Sequence, residues 1–373
     1  MNGNFRVGTL FGIPFFINIS WFFVLALTTL NFGGGLLAQF PELGGWAIAL
    51  GLISGLLLFA SVLLHELGHS FVAQRQGIRV NSITLLLFGG LASLEEEAKT
   101  PAGAFWIAVA GPLVSLVLFA LLSLAGSGLL AGPFATIVGL LAYINLALAA
   151  FNMLPGLPLD GGNVLKAIVW KLTGNRHSGI RWASRAGQVI GWSAVAIGGL
   201  SVLGLSNIGS FWTLLIGWFL LQNAGRSAQF ANVEEALSGL TAADAVLDRS
   251  PVIGETATLR QLADTAIMLS GSGWRRFLVQ DIEGQLLGTV HLDVLKQVPT
   301  DQWSNALVRD WIQPIPEATI VAADQPLIEV IGTFQKQGVP ALAVTRANGT
   351  LIGLLEKAEI ISLLRQKGQM QLA

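Results

Sequence analysis

The stretch LLHELGHSF, residues 63–71, sets His65, Glu66 and His69 at the end of an apolar run. The two histidines are four residues apart, so on a helix they share one face. Two imidazoles so placed can hold one Zn²⁺, and Glu66, on the adjacent flank, can take a proton from a water on that metal. Zinc lowers the pKa of such a water to about 7, which yields a nucleophile at neutral pH. Two of the chain's 4 histidines are here. Ionisable groups at membrane depth are costly and mark function by default.

Such a site needs a third protein ligand and one open position. Asp160, within NMLPGLPLDGGNV at 152–164, is the one carboxylate between Glu97 and Glu234. It follows Pro155 and Pro158, which interrupt an apolar stretch, and irregular backbone at membrane depth is tolerated where it lines a cavity. Gly161 and Gly162 permit close backbone approach. His177 and His291 are isolated and are expected to be solvated or packed. The run Glu95–Glu96–Glu97 is expected to be a solvated loop.

The elements that must position these groups are mostly membrane helices. The chain is 53% hydrophobic and 12% charged, with mean hydropathy +0.66; a soluble chain carries about 25% charged residues. Apolar stretches of about 20 residues predict six spans near 11–31, 46–66, 103–125, 133–154, 186–205 and 208–225, with the second helix continuing past Gln74. The fold class is therefore a polytopic α-helical membrane protein, residues 1–230, followed by a soluble α/β part. The N-terminal stretch lacks a cleavage pattern and reads as a retained helix. Residues 1–230 hold 10 Lys and Arg, and all fall in alternate connections: Arg6; Arg75, Arg79 and Lys99; Lys166, Lys171, Arg176, Arg181 and Arg185; Arg226. The basic side faces the cytosol, so both termini are expected there, in an inner membrane. There are no cysteines, hence no disulfide or thiolate metal site, and no basic run that would suit nucleic acid.

Residues 81–97 are too short to span and predict a strand or hairpin at the membrane rim, with Gly89 and Gly90 in it. Beyond residue 240 a pattern recurs, RRFLVQDIEGQLLGTVHLDVL and then VPALAVTRANGTLIGLLEKAEI. With amphipathic helices near 257–270 and 325–337, it predicts two βαββα units, at 241–299 and 304–373.

HELGH in one membrane helix, with N-x-x-P-x-x-P-L-D-G-G after another, resembles the site-2 protease family of intramembrane zinc metalloproteases, peptidase family M50, over residues 46–172. The two repeats resemble a pair of CBS domains, and the combination resembles the bacterial branch that includes the sporulation factor protease. The resemblance implies that His65, His69 and Asp160 ligate zinc and that Glu66 is the general base. It implies that Asn152 and Pro155 position the substrate strand. Gly111-Pro-Leu-Val-Ser115 fits the family's G-x-x-x-(N/S/G) element, which assigns Ser115 a share in positioning. Gly89 and Gly90 fall where the family has a membrane-embedded hairpin that can pair with an extended peptide. The implied activity is hydrolysis of transmembrane or membrane-associated protein substrates near the cytosolic face, within membrane lipid. CBS pairs bind adenosine nucleotides such as ATP and can form homo-oligomers. The ribose-binding acidic position matches Glu359 in the second copy, while Asp293 in the first stands one residue early. A transporter or channel with regulatory CBS domains is the rival from another class, and a catalytically inactive scaffold is a third reading. A transport path needs no metalloprotease signature, and intact His65, Glu66, His69 and Asp160 argue against the scaffold.

Overall fold

The structure is a computed structural model that describes residues 3–86, 89–128, 130–246, 250–269 and 273–370. The chain divides into two compact units, Met1–Ala231 and Asn232–Ala373.

The first unit opens with two strands, β1 (Asn4–Leu10) and β2 (Ile13–Asn18), then α1 (Ile19–Gln39) and α2 (Trp46–Arg75). The helix expected from residue 11 therefore starts eight residues later. Ile13 and Phe15 are buried and alternate with more exposed neighbours, the period of a strand. The Asn18 side chain then accepts from the Ser20 amide and caps α1. The expected hairpin is present as β3 (Val80–Leu86) and β4 (Gly89–Leu94); its tip, residues 87–88, lies outside the described residues. The four strands form one sheet in the order β1-β2-β3-β4, with β2 and β3 parallel and the other pairs antiparallel. Ile13, Phe15, Ile83 and Leu85 from the sheet pack with Trp21, Phe59 and Leu67 from α1 and α2. That core fixes the sheet beside the helix that carries HELGH.

Next come α3 (Pro101–Gly126), α4 (Gly132–Asn152), α5 (Asp160–Thr173), α6 (Arg176–Val202) and α7 (Phe211–Leu237). Thr100 caps α3 and Asn175 caps α6, while α5 stops at Gly174 in the left-handed conformation. Among the described residues four helices, α1 to α4, are long and apolar enough to cross a membrane. The expected fifth and sixth spans, α6 and α7, have the length but not the composition. Arg176, Arg181 and Arg185 occupy the start of α6, and Arg226, Glu234 and Glu235 the end of α7.

The second unit contains two three-stranded sheets of the same topology. In one, β5 (Val252–Gly254) runs parallel to β6 (Arg276–Gln280), which is antiparallel to β7 (Leu286–His291), with α8 (Leu259–Met268) as the crossover. In the other, β8 (Ile320–Ala322), α9 (Leu327–Gln337), β9 (Ala341–Thr345) and β10 (Leu351–Glu356) repeat the arrangement. Only the second copy has the expected closing helix, α10 (Lys357–Met370). The first ends in a short 3-10 turn, Leu292–Lys296, because Pro299 follows at once and cannot continue a helix.

Candidate metal centre

His65 and His69 lie one turn apart on α2, facing α3. A Cβ on Gly111 of α3 would run into Nε2 of both rings, so glycine alone lets the two helices meet here. α3 also orients the rings. The carbonyl of Ile107 is 2.6 Å from His69 Nδ1, and Ser115 Oγ is 2.9 Å from His65 Nδ1. A carbonyl can only accept, so His69 carries its proton on Nδ1 and turns the lone pair of Nε2 inward. The serine hydroxyl can accept from His65 in the same way.

Asp160 is the first residue of α5, which packs against α3. Cβ atoms on Gly161 and Gly162 would strike the backbone of Met153–Leu154 and of Gly156–Leu157. The segment after α4 therefore folds tightly back on itself and delivers the aspartate. Its two oxygens lie 3.1 Å from His65 Nε2 and 3.3 Å from His69 Nε2, and the two Nε2 atoms are 3.3 Å apart. The edges of a tetrahedral zinc site with bonds of 2.0–2.1 Å are about 3.3 Å. With both Nε2 lone pairs turned toward the Asp160 carboxylate, the three groups would suit a cation between them. The three residues fit a metal ion: two histidines and one aspartate whose ligand atoms all lie within 4.8 Å of one another.

These residues border a cavity of about 710 Å³, lined also by Glu66, Gly89, Gly90, Asn152, Asn163 and Lys166, with Phe219 and Asn223 from α7. Glu66 faces β4: a Cβ on Gly90 would collide with its side chain. β4 is one of the two outer strands of the sheet, so its residues, the Glu66 carboxylate and His65, His69 and Asp160 share one space.

Among the sequence candidates, His65, Glu66, His69, Asp160, Asn152, Gly89 and Gly90 thus come together. Two do not. Pro155 is exposed and outside the cavity lining. Ser115 is fully buried behind His65, so it touches that ring rather than the cavity. Glu359 is half-buried in the first turn of α10. Asp293 is engaged with Lys296 and Arg275, both at 2.9 Å, and these cations hold its carboxyl below the ordinary range.

Sequence reasoning missed the Ile107 carbonyl, which has no side-chain signature. It also missed one member of the acidic run. Glu95 and Glu96 make exposed pairs with Arg79 and Lys99, as a solvated loop does. Glu97 instead lines the cavity and pairs with Lys166 at 3.2 Å and Arg176 at 2.9 Å. Burial works to raise its pKa, but the two cations outweigh it and hold the carboxyl below the ordinary value.

Comparison with known proteins gives the family. Residues 54–132 and 126–193 match peptidase family M50, and residues 308–366 match the CBS domain. The Synechocystis sp. protein sll0528, named as a candidate zinc metalloprotease, is 53% identical over 98% of this chain and 96% of its own length. Zinc metalloprotease MJ0392 of Methanocaldococcus jannaschii is 26% identical over 97% of this chain and 96% of its own. Among solved structures, the site-2 protease from Methanocaldococcus jannaschii is 27% identical, covers 60% of this chain and 95% of its own, and superposes with a TM-score of 0.43.

Proposed function

The chain belongs to peptidase family M50, the site-2 type of zinc metalloprotease, and on that premise we propose that it hydrolyses peptide bonds of transmembrane or membrane-associated proteins near the cytosolic face of an inner membrane. The observation that carries the reading is the convergence of His65, His69 and Asp160 within 3.3 Å of one another, beside Glu66 and a free sheet edge.

In this reading His65 Nε2, His69 Nε2 and the Asp160 carboxylate would hold a zinc ion, which would supply Lewis acidity when bound. The Ile107 carbonyl keeps the His69 ring in the ligating tautomer, and the Ser115 hydroxyl can accept from His65 Nδ1 to do the same. Glu66 takes the proton of the attacking water and returns it to the leaving amide nitrogen. A helical substrate must first unwind, since its amides are hidden in hydrogen bonds. The outer edge of β4, with Gly89 and Gly90, offers an extended peptide replacement backbone partners. Asn152, also in the cavity lining, has an amide able to bond that strand.

We further assign α6 and α7 as the fifth and sixth spans. The distribution of the basic residues supports this, with both termini in the cytosol. So does the contact between the two helices. Cβ atoms on Gly191 and Gly198 of α6 would strike Leu221 and Leu214 of α7, the close small-residue packing of membrane helices. The CBS pair is assigned an adenine nucleotide and a regulatory part.

The test uses the full-length protein purified in detergent. About one zinc per chain is expected. His65→Ala and Asp160→Ala should lose most of it, while Glu66→Gln should keep zinc and stop cleaving a model transmembrane substrate. Undiminished zinc in both ligand variants, or cleavage by Glu66→Gln, would overturn the assignment.

A further inference from the structure

One end of the cavity has a charge that the hydrolytic step does not use. Lys166 lies on α5, six residues beyond Asp160, and its side chain is only 13% exposed. It lines the cavity together with Asn163 and Glu97. Its ammonium has three donors. One meets Glu97 Oε2 at 3.2 Å, and among the described residues no other acceptor is within reach. Glu97 is in turn held by Arg176, at the shorter distance of 2.9 Å. That carboxylate is 54% exposed, so the acid sits toward solvent and the cation is built into the wall. The pairing with Glu97 also shows that a carboxylate fits against this ammonium.

A lysine largely removed from water, with donors unspent, is unfavourable unless something completes its shell. Apart from Lys166 and its partner Glu97, the charged and titratable groups lining the cavity are His65, Glu66, His69 and Asp160. Starting from the protease reading above, we propose that Lys166 is a specificity residue that receives an aspartate or glutamate side chain of the substrate beside Glu97. Six helical residues rise about 9 Å. An extended peptide covers that distance in about three residues, so the acidic residue belongs about three positions from the cleaved bond, on the side toward Lys166.

The test is a charge scan on a model substrate with one transmembrane segment. Asp, Asn and Lys are placed singly two to five positions from the cleaved bond, on each side, and cleavage by the full-length protein in detergent is followed. At one position near the third, Asp should raise kcat/KM about tenfold over Asn, the size of one charge-assisted hydrogen bond, and Lys should fall below Asn. Lys166→Gln should flatten that preference, and Lys166→Glu should invert it, with zinc content reporting that each variant has folded. The preference should shrink at high salt. A wild-type profile indifferent to charge at every position would overturn the proposal even if both variants failed to fold, as would a Lys166→Glu protein that keeps the wild-type order. Glu66-dependent cleavage with a flat scan removes this inference alone. No cleavage of any substrate by the wild type removes the protease reading and this inference with it.

Discussion

Gly111→Ala is a one-carbon change that should empty the metal site. The new methyl would lie against Nε2 of both His65 and His69, the atoms that face Asp160. The rings have little room to retreat, because Ser115 holds one at 2.9 Å and Ile107 the other at 2.6 Å. The helices have little room to part, because Gly68 of α2 packs on the Ala110 backbone of α3, one residue away. Overpacking of this kind costs about 1–3 kcal/mol. Turning a ring aside breaks its outer hydrogen bond, and loss of such a partner lowers metal affinity about 10–100-fold, or about 1.4–2.7 kcal/mol. The expected result is a zinc affinity at least about tenfold weaker by chelator competition, with cleavage lost in proportion and recovered by excess zinc. Gly139→Ala on α4 is the control, since its Cβ meets nothing within 4 Å and should leave zinc binding unchanged. If Gly111→Ala binds zinc as tightly as the wild type, the rings are not confined as described.

The chemistry of the site was legible because it is written in local spacing. An i, i+4 pair of histidines needs only a helix to converge, and an apolar sequence leaves one carboxylate to complete the set. What surrounds these groups is non-local. Ser115 reads as a packing residue until α3 is seen against α2, and nothing in the type of Ile107 marks its carbonyl. The strand β2 was hidden inside an apolar run, since a window of about 20 residues cannot separate a short strand from the helix that follows it. The helix α5 was overlooked because it is amphipathic, although Lys171 in its last turn and Gly174 beyond it are ordinary stop signals. Three consecutive glutamates are equivalent in sequence. Only the fold assigns Glu97 to Lys166 and Arg176 and leaves its neighbours to solvent.

Three more outcomes follow from the same contacts. Glu97 has a lowered pKa, so its tie to Lys166 and Arg176 is complete above the ordinary value of about 4.3 and is lost as pH falls through the lower folded value. In an NMR titration the Glu97 carboxyl should titrate below the ordinary carboxylate range and Lys166→Gln should move it back up; titration at or above the ordinary value would refute the pairing. Reporter fusions at Ala231 and near Arg79 should report the cytosol, and fusions near Gly34 and Gly128 the other side. A fusion at Ala231 reporting the far side would remove the six-span assignment. The CBS pair should bind an adenine nucleotide unevenly. Asp293 already accepts from Lys296 and Arg275, so a ribose hydroxyl would have to compete with two cations for it. Glu359 faces another carboxylate instead: burial, with Glu359 adding to it, pushes the Glu356 carboxyl up. A hydroxyl or amine donor arriving there would relieve that repulsion. Calorimetry on the full-length protein should therefore show Glu359→Ala weakening ATP, ADP or AMP by about tenfold, the scale of a hydrogen bond to a charged group, and Asp293→Ala changing little. Equal losses from both variants would mean that the two clefts are equivalent despite the ion pairs that set Asp293 apart.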